Sequence, residues 1–459
     1  MRLLIKGGRV IDPVHNVDDI LDILIEDGKI VAIGERGQGS GEGKKPTVLT
    51  VGVSRAKAQS PSLQRGEESQ PPAISRVIDA SGLVVCPGFI DLHAHLREPG
   101  REDEETIATG TAAAARGGFT SVCCMANTEP VNDNQSVTEF ILEKAKREGL
   151  VHVLPVGALS KDQKNEELAE IGELSRAGCV AISDDGQPVV NAELMRRAME
   201  YTSMFNLPVI SHCEDLNLSA GGVMHEGLIS TELGLKGIPS VAEEVVVARD
   251  VTLAEMTGAR LHIAHVSTAG SVRLIREAKA RGVRVTAEVT PHHLALTDEA
   301  VRGFDTNFKM NPPLRSAQDQ EALWEGLLDG TIDAIATDHA PHTAAEKEQE
   351  FDYAPFGVIG LETAVGVVLT VLVSKGILSL TEAVEKLSPN PAKVLGLSYK
   401  GHLGVGADAD LTLIDLDREW RVDVTRFASK SRNSPFGGWR LCGIPVLTIV
   451  KGNVVWESF

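Results

Sequence analysis

From residue 83 to about residue 388, short runs rich in apolar and β-branched residues alternate with longer segments whose apolar positions recur near every 3.6 residues. The short runs lie at 83–95, 120–126, 151–158, 179–184, 208–212, 260–265, 283–289 and 332–337. Amphipathic stretches between them include 104–116, 136–147, 192–205, 240–257 and 269–281. This strand-then-helix rhythm predicts parallel βα units, and eight of them most simply close on themselves. The predicted fold class is therefore α/β, a (β/α)8 TIM-like barrel over residues 83–390. The ends read differently. MRLLIKGGRVID, DILIEDGKIVAIG, ADLTLIDLD and VLTIVKGNVVW are short strands punctuated by Gly, Asp and Asn. Residues 1–82 and 391–459 are accordingly expected to pair into one small composite β-sandwich domain.

Within the first of these segments, residues 35–73 are rich in Gly, Ser, Gln and Lys, too polar to fold around a core. They are expected to form a flexible insertion that takes no part in chemistry. Deleting residues 37–72 should leave turnover intact, and loss of activity in a folded, metal-loaded deletion protein would overturn that expectation.

Charge and cysteine usage narrow the function classes. With 45 Lys plus Arg against 64 Asp plus Glu, the formal net charge is −19, which disfavours a nucleic-acid partner. The amino terminus carries no secretory apolar segment, no run is long enough to span a bilayer, and the six cysteines show no disulfide or zinc-knuckle spacing. Cytoplasmic location, reduced thiols and core packing of the cysteines are the expectation.

Reactive side chains of such barrels stand at the carboxyl ends of the strands. Here those ends are polar: DLHAHLR after the first run, ANT after the second, SDDG after the fourth, SHCE after the fifth, HIAHVS after the sixth and TDHAPH after the eighth. His93 and His95, two apart on a strand, project to one face and can grip one ion. A His-x-His pair alone is more often structural than ligating. Four histidines and two aspartates converging on one mouth are another matter, because such a set would be costly to bury without partners. Imidazole and carboxylate donors without cysteine suit zinc, cobalt or manganese, and zinc is the default for hydrolysis. Six ligands exceed the need of one open zinc site, so two ions sharing a carboxylate and a hydroxide fit better. Spacing leaves open whether Asp184 or Asp185 is shared.

Taken in order, FIDLHAHLREPG, CMANTEP, SDDG, SHCED, HVST, FKMNPPLR and TDHAPH resemble the successive motifs of class I dihydroorotases, and the resemblance spans nearly the whole chain. It implies one Zn2+ on His93, His95 and Asp338, a second on His212 and His265, and Asp185 bridging them. It further implies substrate contacts from His95, Arg97, Asn127, Asn311, His342, Phe356 and Gly357. Hydantoinases, allantoinases and class II dihydroorotases generally bridge their metals with a carboxylated lysine near strand four, where this chain has Ser-Asp-Asp-Gly. The insertion at 35–73 is longer than the family pattern leads one to expect. The implied reaction is reversible cyclisation of N-carbamoyl-L-aspartate to L-dihydroorotate, by a metal-bound hydroxide with Asp338 as proton shuttle.

The planar fork of Arg97 suits an anionic substrate; its bland alternative is an ion pair with a neighbour such as Glu98. Asn311 reads equally as a turn residue before Pro312 and Pro313, and His342 as a surface or capping histidine. His339, His262, His292 and His293 are expected in structural or supporting roles. Competing functions are hydrolysis of allantoin or a hydantoin, and a silent homologue that braces aspartate transcarbamoylase. Association with that enzyme and homo-oligomerisation are partner expectations drawn from the family.

Overall fold

The computed structural model describes residues 2–35 and 74–458; apart from Glu35, the insertion expected at 35–73 lies outside them. The eight central runs become eight parallel strands: β1 (Phe89–Ala94), β2 (Phe119–Cys124), β3 (His152–Gly157), β4 (Ala181–Ile182), β5 (Val209–Ser211), β6 (Leu261–Ile263), β7 (Val285–Val289) and β8 (Ala334–Ile335). Each pairs with its neighbours in chain order. The ring is drawn shut just beyond the last strand, where Ala94 bridges His339 and the His95 amide donates to the His339 carbonyl at 2.8 Å. Asp91 adds a latch by accepting from the Thr337 amide at 2.8 Å and the Thr337 hydroxyl at 2.6 Å.

Small apolar residues fill the interior. Ile90, Leu92, Cys123, Val156, Ala181, Ile210, Ala264 and Ala334 form one buried cluster, and side chains from so many strands can meet only inside the barrel. Ala392, Val394 and Leu395 of the helix Pro389–Leu395 join it from the amino ends of the strands, where Asn390 donates to the Asp333 carbonyl at 2.9 Å. A larger cluster lies between strands and helices.

Among the described residues, the terminal segments form one eight-stranded sheet. Its N-terminal strand Arg2–Asp12 pairs with Val17–Glu26, with Arg76–Asp79 and with Val84–Pro87; Val84–Pro87 in turn pairs with Leu411–Arg421. The two ends of the chain thus share a sheet with its own apolar cluster, including Leu3, Ile5, Ile23, Leu411 and Leu447. The run at 83–95 is therefore two strands. Its first half serves the terminal sheet and its second half opens the barrel, with Gly88 between them lying so close to Thr120 that a Cβ would fall 2.3 Å from its hydroxyl oxygen.

The helix expected from 104 begins instead at Ile107, capped by the Thr106 hydroxyl. Glu104 and Glu105 turn inward, 1 % and 0 % exposed, and serve the barrel mouth. No helix among the described residues is long and apolar enough to cross a membrane. All six cysteines are free and all but Cys442 are buried.

Candidate metal centre

Beyond the strand ends, four imidazole nitrogens surround two carboxylates. His93 Nε2 lies 3.2 Å from Asp185 Oδ2 and 3.6 Å from Asp338 Oδ1, and His95 Nε2 lies 3.4 Å and 3.2 Å from the same two oxygens. The other oxygen of Asp185 is 3.3 Å from His212 Nδ1 and 3.5 Å from His265 Nε2, and those two nitrogens are 3.0 Å apart. Donors bound at about 2.0–2.1 Å to one tetrahedral ion stand roughly 3.3 Å from one another, which is this spacing. His93 Nε2 and Asp185 Oδ1 are buried without an aligned hydrogen bond, as atoms reserved for an ion would be. Donor sets His93, His95, Asp338 and His93, Asp185, His265 each converge within 4.8 Å.

The outer hydrogen bonds orient the ligating nitrogens. His93 Nδ1 donates to Glu288 Oε1 at 3.0 Å, so its Nε2 lone pair faces the carboxylates. Glu288 is itself fixed by His262 Nε2 at 3.0 Å. His95 Nδ1 donates to Asn127 Oδ1 at 2.8 Å, and His212 Nε2 to Glu214 Oε2 at 3.2 Å. Glu214 also accepts from Asn311 Nδ2 at 2.8 Å. Glu288 and Glu214 had no role in the sequence reading, although a lone acid in the apolar run VTAEV was a legible sign for the first.

Electrostatics point the same way. Burial alone would raise the carboxyls of Asp185 and Asp338, but the imidazoles around them hold both well below the usual carboxylate range. Burial alone would lower His93, yet Asp185 and Asp338 push it well above its ordinary value, and against burial Asp185 and Glu214 raise His212 to about 10. The centre demands positive charge, and protons and a metal ion compete for the same lone pairs.

The two adjacent aspartates part company. Asp184 accepts from the Leu159 amide at 2.7 Å, the Ser160 amide at 3.0 Å and the Ser160 hydroxyl, so it ties down the preceding loop. Asp185 alone lies among the histidines.

Above the carboxylates opens a cavity of about 240 Å³ whose walls include His95, Arg97, Asn127, Asn311, His342 and the segment Phe356–Gly357. Arg97 is not paired with Glu98. It sits 2.9 Å from Glu104 Oε2 and donates to the Pro341 carbonyl at 3.2 Å, while Glu98 accepts from the Ile107 amide. His342 spans Glu104 Oε1 at 3.0 Å and the Phe356 carbonyl at 2.8 Å. Asn433, from the C-terminal segment, donates to the Ala340 and Gly357 carbonyls at 3.0 Å and 3.1 Å, a contribution that sequence order concealed.

Arg97, His265 and Asp338 have φ of 60°, 34° and 47°. Such non-glycine left-handed residues cost of order 1–3 kcal/mol each and persist where surrounding structure imposes them, commonly at active sites. His339 instead has both ring nitrogens engaged, by Glu105 at 3.2 Å and the Gly360 amide at 3.2 Å. His293 is likewise held by Thr290 and the Pro312 carbonyl.

A dihydro-orotase-like family model matches residues 82–271 and an amidohydrolase family model matches residues 237–456. A dihydroorotase of Pelotomaculum thermopropionicum is 59% identical over 458 residues, covering 100% of this chain and 99% of the relative. One from Syntrophus aciditrophicus is 53% identical over 458 residues, with 100% of both chains covered. Among solved structures, the L-hydantoinase (dihydropyrimidinase) of Arthrobacter aurescens superposes with a TM-score of 0.83 at 28% identity, covering 99% of this chain and 96% of that one.

Proposed function

Because the chain belongs to the dihydroorotase family, we propose that its barrel mouth interconverts N-carbamoyl-L-aspartate and L-dihydroorotate plus water, and that Asp185 would be the carboxylate shared between two Zn2+ ions held there. The observation that carries this reading is the position of Asp185, one oxygen toward His93 and His95 and the other toward His212 and His265. His93, His95 and Asp338 would hold one ion, and His212 and His265 the other. Such ions polarise the ring carbonyl and bring the pKa of water down to about 7.

The rest of the reaction is work for this chain's side chains. Asp338, held well below the usual carboxylate range by the imidazoles around it, can accept the proton of the water that attacks the ring carbonyl and deliver it to the ring nitrogen as the ring C–N bond breaks. In the ring-closing direction the same carboxylate takes the proton from the carbamoyl nitrogen and returns it to departing water. The Asn127 oxygen is committed to His95, so its NH2 group is free to donate to the substrate carboxylate. Arg97 supplies the opposite arm of that grip, its guanidinium held from behind by Glu104.

Turnover of N-carbamoyl-L-aspartate and L-dihydroorotate, beside a panel of hydantoin, allantoin and dihydrouracil, tests the reading. Preference for any of the last three over dihydroorotate would overturn it. Asp185 in place of the lysine usual in hydantoinases favours dihydroorotate.

Arg97→Lys should raise KM about tenfold to a hundredfold, the equivalent of a charge-assisted hydrogen bond of about 1.5–3 kcal/mol, with metal content unchanged. Unaltered kinetic constants would remove Arg97 from the substrate site.

A further inference from the structure

The segment that brings Phe356 and Gly357 to the cavity is held largely by two lysines turned inward. Lys347, at the end of the short helix Ala344–Lys347, is 7% exposed. Its ammonium donates to the carbonyls of Pro355 at 2.9 Å, Gly357 at 3.0 Å and Lys309 at 3.4 Å. Lys309, 2% exposed, donates to the Phe351 carbonyl at 2.6 Å and the Asp352 carbonyl at 3.1 Å, and lies 4.7 Å from the centre of the Phe356 ring. The Gly357 amide closes the loop by donating to the Lys309 carbonyl at 3.0 Å.

A buried ammonium is costly unless its donors are satisfied, and Lys347 commits three bonds, the full capacity of an ammonium, to backbone oxygens. Burial lowers Lys309 to about 8 and Lys347 to about 7. An apolar residue would fill the same space without that penalty, so what the lysines contribute is the fixed position of the carbonyls they hold. That position reaches the cavity. Phe356 offers its carbonyl to His342 Nε2, and Gly357, at φ 132°, lies so close that a Cβ would fall 2.9 Å from the same nitrogen. A small displacement of the segment therefore moves His342 and the cavity wall together.

We propose that Lys347 and Lys309 are positioning residues that clamp residues 351–357 in the geometry that receives the substrate. The inference rests on the dihydroorotase reading for its kinetic consequence, but not for the clamp itself.

Lys347→Met keeps a straight chain of similar length and removes the donors. In this variant KM for N-carbamoyl-L-aspartate should rise about tenfold or more with kcat within about threefold and metal content unchanged, since contacts made equally in ground and transition states act through KM. Backbone amide exchange in 351–357 should quicken while the barrel strands stay protected, and Lys347→Arg should recover part of the KM. Unchanged KM in the folded, metal-loaded variant, or a fall in kcat at constant KM, overturns the proposal. Lys309→Met is expected to show the same signature. If neither methionine variant folds, exchange in the wild-type protein decides: the clamp requires the Gly357 amide to be protected like the barrel strands, and exchange at open-loop rates refutes it. Failure of the wild type to turn over either dihydroorotase substrate would sink the functional reading while leaving the exchange result to stand on its own.

Discussion

Asp338→Asn is expected to reduce kcat by about a hundredfold to ten-thousandfold, the range general acid-base groups contribute, or more, with KM changed far less. The amide is nearly isosteric and keeps one oxygen toward His95 and His93, whose nitrogens lie 3.2 Å and 3.6 Å from Asp338 Oδ1. What it cannot do is take a proton from water and pass it to nitrogen. Metal analysis must accompany the kinetics, because a weakened ligand could release an ion and lower turnover by another route. Full metal occupancy with turnover within a few-fold of wild type would refute the shuttle assignment. His342 would then be the group to examine, since it lines the cavity, whereas His339 is buried and is not among the cavity's lining residues.

The second large effect is expected at Asp185. In Asp185→Asn the charge between His93, His212 and His265 is lost, and the amide NH2 must face an imidazole nitrogen or a cation. Outer partners of metal ligands are typically worth about tenfold to a hundredfold in affinity. Removing a shared ligand should cost more, so bound metal should fall by at least one ion per chain and turnover should drop about a thousandfold or beyond. Asp184→Asn is the matched control. Its carboxylate holds the Leu159 and Ser160 amides, so the expected result is a loss of stability of about 1–3 kcal/mol with metal retained. Metal analysis and thermal melts of the two variants side by side check both expectations, and the reverse pattern would exchange the roles of the two aspartates.

Asp184 and Asp185 also mark how far the sequence could be read. Both stand in SDDG, both follow a strand, and spacing cannot tell which faces the histidines; similarity of motif pointed to the second. In three dimensions the loop at Leu159 and Ser160 captures the first carboxylate and leaves the second to the centre. A similar divergence occurs at Glu104 and Glu105. They continue a helical pattern in sequence, yet both are drawn out of the helix, one to Arg97 and His342 and the other to His339 and Ser429.

The eight-strand order, the composite terminal sheet and the convergence of His93, His95, His212, His265 and Asp338 at one mouth were legible from the chain, because hydrophobic periodicity and strand-end polarity are local properties. The supporting partners were not. Glu288 reaches His93 from 195 residues away, Asn433 holds Gly357 across 76 residues, and Lys347 acts through carbonyls that every sequence possesses. Which acid meets which imidazole, and which backbone oxygen meets which ammonium, depends on the closure of the barrel and the return of the C-terminal segment over its rim. Those are decided by packing and by the need to satisfy each buried polar group, neither of which leaves a fixed spacing in the chain.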